Sequence, residues 1–251
     1  MACIFAAVIC LAGQTDPVIE SARRAAATFS KSLPDYVVKR TTTRFQGVRP
    51  AAFAPGEAAG KWRQLDVVTA DVVAEHNTEV LTNVQLNGKP TKDVQKSGSW
   101  SAGEFSNTLQ AILSLESAAV FTNQRATTLL NRPAYRFDYA IDQPHSSWHL
   151  STGGEPYAPA YGGQIWIDQE SSRVLRIEMS ARDVPAFLQL DSIVSSIEYA
   201  FVKIGDGSYL LPAHSETMEC QHGTTACFKN VTDFRGYRKY SADTNISFDD
   251  K

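Results

Sequence analysis

The stretch GGQIWIDQESSRVLRIEM, Gly162 to Met179, decides the fold. Ile165 and Ile167 sit two residues apart, and so do Leu175, Ile177 and Met179. A period of two places each set on one face of an extended strand. Arg176 and Glu178 fall on the opposite face, and Asp168 to Ser172 supply turn residues. The stretch predicts a hairpin with one apolar side, which is a wall and carries no obvious reactive group.

Strand signals continue on both sides. IVSSIEYAFVKI and SYLLPAHSETMEC flank Gly205-Asp206-Gly207, a turn between two arms. CFKNVTDFRGYRKYS and NISF close the chain. Upstream, AAVFT, RATTLL, AYRFDYAI and SSWHLS read as strands. Further back, YVVKRTTTRF (Tyr36–Phe45), WRQLDVVTADVV and EVLTNVQL read as strands, the last followed by the tight-turn pair Asn87-Gly88. The Pro- and Gly-rich GVRPAAFAPGEAAG around Phe53 is a loop and a candidate flap.

Two stretches have helical spacing. In TDPVIESARRAAATFSKSLP, Thr15 or Asp16 caps, Pro17 fits the first turn, and Val18, Ala22, Ala25, Phe29 and Leu33 make one stripe before Pro34. In SAGEFSNTLQAILSLES, Ser101 and Glu104 form a capping box, and Phe105, Leu109, Ile112 and Leu113 share a face. The pattern is one α+β domain over residues 14–251: a single large antiparallel sheet with about two helices on one side.

Composition narrows the function. Of 251 residues, 43% are apolar, enough for a sizeable core, and the formal charge is −3 with no Lys/Arg run. Nucleic acid is therefore disfavoured as a partner. Residues 1–13 open with MACIFAAVICLAG, an uncharged apolar run well short of the roughly 20 residues that span a bilayer. It matches the apolar centre and small-residue end of a secretory signal, without the usual basic start. The competing reading is a buried N-terminal strand. The expectation is a periplasmic or secreted bacterial protein with no membrane span in its mature chain.

Removing that segment removes Cys3 and Cys10 and leaves Cys220 and Cys227 around QHGTTA. An even pair in an exported chain reads as a disulfide across a hairpin. The rival, a metal held by Cys220, His222 and Cys227, offers three ligands and no second Cys pair.

Catalytic constellations are scarce. His145 and His149 are four apart, but Pro144 and Ser146-Ser147-Trp148 argue against the helix that metal spacing needs. Ser101 lacks the glycine two residues before it that a nucleophile elbow requires. The carboxylates form no acid–base pair, and no phosphate loop exists. Trp148, Tyr157, Tyr161 and Trp166 cluster in sequence, read either as core packing or as an aromatic rim on a cavity. No catalytic residue, metal or cofactor is expected.

GQIWIDQESSRVLRIEM, IGDGSYLLPAHSE and NVTDFRGYRKYSADTNISF resemble the C-terminal half of exported bacterial proteins similar in plan to the outer-membrane lipoprotein carriers and the lipoprotein-sorting-like superfamily. The resemblance implies a strongly curved antiparallel sheet, an open half-barrel, with helices on its concave side. It implies a cavity for an acyl chain or other apolar small molecule, with Phe105, Leu109, Ile112, Ile165, Ile167, Leu175, Ile177 and Met179 as counterparts of its lining. The expectation is a non-enzymatic binding protein for lipid or lipid-modified protein in the cell envelope. The alternative is an envelope module with a packed cavity, binding a protein partner through an edge strand or the cysteine hairpin.

Overall fold

The computed structural model describes residues 16–49, 61–75, 78–92, 94, 106–151 and 154–240. The segment 1–13 with Cys3 and Cys10, the Phe53 part of the candidate flap, the Ser101/Glu104 cap, Phe105 and the terminal NISF lie outside the described residues.

Asp16 caps helix α1 (Pro17–Ser32) through its carboxylate, which accepts from the Val18 N–H at 2.8 Å. Its buried stripe is turned slightly from the predicted one: Ile19, Ala22 and Phe29 are buried, while Val18 and Ala26 pack at the margin. Helix α2 (Ser106–Leu113) ends early because its last carbonyls find other donors. The Ser117 hydroxyl donates to Ile112 O at 3.0 Å, and Arg23 Nε of α1 donates to Leu113 O at 3.0 Å. Arg23 also lies over the Phe121 ring, so one side chain ties the two helices to the sheet.

Among the described residues eleven strands form one antiparallel sheet: β1 (Tyr36–Val48), β2 (Trp62–Glu75), β3 (Thr78–Leu86), β4 (Lys89–Pro90), β5 (Val120–Leu129), β6 (Arg132–Ile141), β7 (Tyr161–Asp168), β8 (Val174–Ala181), β9 (Leu190–Ile204), β10 (Gly207–Gln221) and β11 (Ala226–Lys239). Their spatial order is β4-β3-β2-β1-β11-β10-β9-β8-β7-β6-β5. The chain thus enters the sheet in its middle, runs to one edge, and crosses by way of α2 to the other edge. It then returns strand by strand until β11 closes on β1. The end strands β4 and β5 do not pair, so the sheet is an open half-barrel of α+β class.

The deciding hairpin is β7–β8, with Ile165 opposite Ile177 and Gly163 opposite Met179. AAVFT and RATTLL are one strand, β5, bent by a bulge at Asn123, whose φ of 55° fits its short polar side chain. SSWHLS is not a strand. Gln143–His145 is a single 3-10 turn, where Pro144 has no N–H for a ladder, and only the Leu150–Tyr157 bridge follows.

Cys220 and Cys227 are cross-strand partners in β10–β11 and form the disulfide, with Cα atoms 4.1 Å apart and neither residue exposed. The short closed loop limits its entropic contribution to about 2–3 kcal/mol.

Candidate functional site

The core lies between the helices and one face of the sheet. Leu109, Ile112 and Leu113 of α2 and Ile19 and Ala22 of α1 pack on Phe137, Tyr139, Ile165, Ile177 and Ile197. A second cluster joins Phe29 to Tyr36, Val38, Val72 and Phe234. Helix α1 spans both clusters.

Where α1 passes from one cluster to the other, its side chains are short. Ala22, Ala25 and Ala26 face the sheet across a gap, with Phe29 at its end. Leu109 closes one side, and Val174, Tyr199 and Leu210 make the floor. The pocket has about 300 Å³ of empty space, its open mouth included. Arg173, half-buried at the end of the β7–β8 turn, is the one charged residue in the lining among the described residues. Its guanidinium carbon lies over the Phe29 ring, 5.6 Å from the centroid.

The predicted lining residues divide. Leu109 reaches the pocket. Ile112, Ile165, Ile167, Leu175, Ile177 and Met179 are all buried in the packed cluster beneath the helices. Ala22, Ala25 and Phe29 belonged to the predicted helix stripe; Ala26, Arg173, Val174, Tyr199 and Leu210 were not singled out. Arg173 carried no periodic signal: it precedes β8, and a bulge at Trp166–Ile167 breaks the alternation of Leu175, Ile177 and Met179 before it.

The aromatic cluster is no rim of this pocket. Trp148 meets Tyr161 edge-on at 5.6 Å, and Tyr157 meets exposed Phe187 at 5.7 Å. Trp166 packs half-buried against the core cluster, with the Arg176 guanidinium carbon over its ring at 5.7 Å. Burial pushes the Tyr161 hydroxyl up to about 12 against the lowering hydrogen bond of Ser147, so it stays neutral in ordinary conditions. His145 pairs with Asp142, and the His149 ring meets Ser147 O at 2.9 Å, so the two do not converge. Among the described residues, no group of three His, Cys, Asp or Glu side chains could hold a metal ion.

The inner face has a second, polar region that sequence reasoning missed. Arg40, Thr42 and Arg44 of β1 are buried, with Asn230 and Thr232 of β11 beside them. Thr42 and Thr232 hydroxyls are 2.8 Å apart, and Arg44 grips Asp66 with two bonds of 2.6 and 2.7 Å.

The turn that carries Arg173 is anchored by Asp168, whose side chain is fully buried. It accepts from Arg132 Nε at 2.7 Å and from the Ser171 N–H and hydroxyl at 2.8 and 2.6 Å. Burial pushes the Asp168 carboxyl up, but these bonds outweigh it and hold it at about 2, below the ordinary 3.8. A lowered folded-state value stabilises above the unfolded value and is lost as pH falls through the folded one. Wild type should therefore lose about 2 kcal/mol between pH 4 and pH 2 through this group. Urea melts of Asp168→Asn across that range should lack this part of the acid slope; an identical slope would exclude the assignment.

No family model and no curated protein matches the chain. Among solved structures it is similar to the crystal structure of a DUF1329 family protein from Desulfovibrio piger ATCC 29098. The similarity covers 93% of this chain and 96% of that one, at 12% identity and a TM-score of 0.36. A likeness of this degree says nothing of what the chain binds or does.

Proposed function

We propose that this chain is an exported, non-enzymatic binding protein. It holds an apolar ligand, a lipid or the acyl part of a lipid-modified protein, between α1 and the inner face of the half-barrel. The observation that carries the reading is the pocket under α1, an apolar recess open to solvent and floored by the sheet. Because its empty space counts open solvent, the enclosed part of the recess is well below a preformed ligand pocket of about 300–1,000 Å³, with room for about one water molecule. An acyl chain needs α1 to lift. Alanines 22, 25 and 26 give up little area in that movement, and its cost falls on Ile19 and Phe29, which anchor α1 on either side.

Export is supported by the apolar start of the sequence and by the buried disulfide, which persists in oxidising compartments. A second reading, an envelope interaction module with a filled core, is favoured by the dense packing of Ile112, Ile165 and Ile177 beneath the helices.

Ala25→Phe separates the two, because Ala25 lines the pocket without being fully buried. Uptake of an apolar fluorescent dye should fall at least tenfold, with Tm shifted by no more than a few degrees. Unchanged dye uptake would favour the module.

A further inference from the structure

Resting on that reading, we infer that the pocket selects anionic single-chain amphiphiles: the chain lies under α1 and a carboxylate or sulfate head group pairs with Arg173. Two nearby arginines are used differently. Arg132 is neutralised by Asp168 and Glu170, at 2.7 and 2.8 Å. Among the described residues Arg173 has no carboxylate partner, and its guanidinium carbon lies over the Phe29 ring.

An arginine stacked on an aromatic ring often serves only to cover it, its charged end in water. Arg173 does more by position. It stands where an apolar recess opens, and among the described residues no acidic side chain lines that recess. Among the described residues no acceptor meets the guanidinium N–H donors, which are left to take a carboxylate or sulfate by two parallel bonds. The partly apolar surroundings strengthen such a pair relative to water. The apolar walls and the single cation together match an amphiphile with one chain and one negative charge. A neutral lipid would leave the guanidinium unmatched.

The anchoring of the turn adds to this. Asp168 holds the Ser171 N–H and hydroxyl, and its own N–H donates to Arg173 O at 2.8 Å. The backbone that carries Arg173 is therefore fixed before a ligand arrives, which lowers the ordering cost of binding.

Calorimetric titration of the full chain with decanoate, decyl sulfate and decanol tests the inference. Wild type should bind both anions at least about tenfold tighter than decanol. Arg173→Gln should lose that preference while holding decanol as wild type does, and Arg173→Lys should keep part of it. Equal binding of all three probes by wild type would overturn anion selection and leave the apolar pocket standing. A preference that survives in Arg173→Gln would also overturn it. Binding of none of the probes would overturn the pocket reading and this inference together.

Discussion

Gly163→Ala destabilises the protein more than any other single-methyl addition in the β7–β8 hairpin. A Cβ placed there would lie 1.9 Å from the carbonyl oxygen of Glu178 and 2.6 Å from its carbonyl carbon. Those atoms are backbone of the neighbouring strand, so no side-chain rotation relieves the clash and the β7–β8 ladder must spread. The position is occupied in a second sense. Tyr139 is the cross-strand partner of Gly163 on the other side, and its hydroxyl donates to Glu178 O at 3.0 Å. The ring therefore spans β7 at Gly163, covering a residue that has no side chain of its own. Overpacking in a core costs about 1–3 kcal/mol and more where backbone must move. The expected loss is about 3 kcal/mol or greater, read as a fall in urea midpoint. A variant within about 0.5 kcal/mol of wild type would show that Gly163 stands further from the Glu178 carbonyl than a clash at 1.9 Å requires.

Ile177→Ala has the second large effect, through a different mechanism. Ile177 is fully buried at the centre of β8, between Ile165 and Ile197 on the neighbouring strands and beneath α2. Removing its outer carbons takes away burial and leaves a void that rigid neighbours do not fill. The expected cost is about 3–4 kcal/mol, a Tm fall of roughly 10 °C for a chain of this size. A loss under about 1 kcal/mol would mean that loose space already surrounds the residue and that the cavity extends beneath the helices. The contrast with Ala25→Phe is informative. One variant empties the packed core and costs stability; the other fills the pocket and costs ligand.

These two positions also show what was legible in the sequence. The alternation of Ile165, Ile167, Leu175, Ile177 and Met179 was sufficient to place a hairpin and its apolar side, because strand period and burial agree there, but not to say which way that side faces. The α1 cap was readable for the same reason: Asp16-Pro17 ahead of an apolar stripe has few other uses. The polar part of the inner face was not readable. Lys39, Thr41 and Thr43 alternate with Arg40, Thr42 and Arg44, so both faces of β1 look solvated in sequence. Only the partners on β2 and β11, far away along the chain, bury one set and pair it. SSWHLS failed in the opposite way. Its residues tolerate extended backbone, but Pro144 and the contact of Trp148 with Tyr161 hold the segment off the ladder. The pocket itself arises from an absence of volume on α1, and short alanines read equally well as close packing or as a gap. Which of the two occurs depends on how far the helix stands from the sheet, a tertiary property.

The most direct test is native mass spectrometry of the protein purified gently from its own host, with lipid extraction alongside. The account predicts a reproducible bound mass that disappears on denaturation, is recovered in the lipid extract, and is missing from Ala25→Phe. A clean unliganded mass for wild type, with nothing specific in the extract, would contradict it.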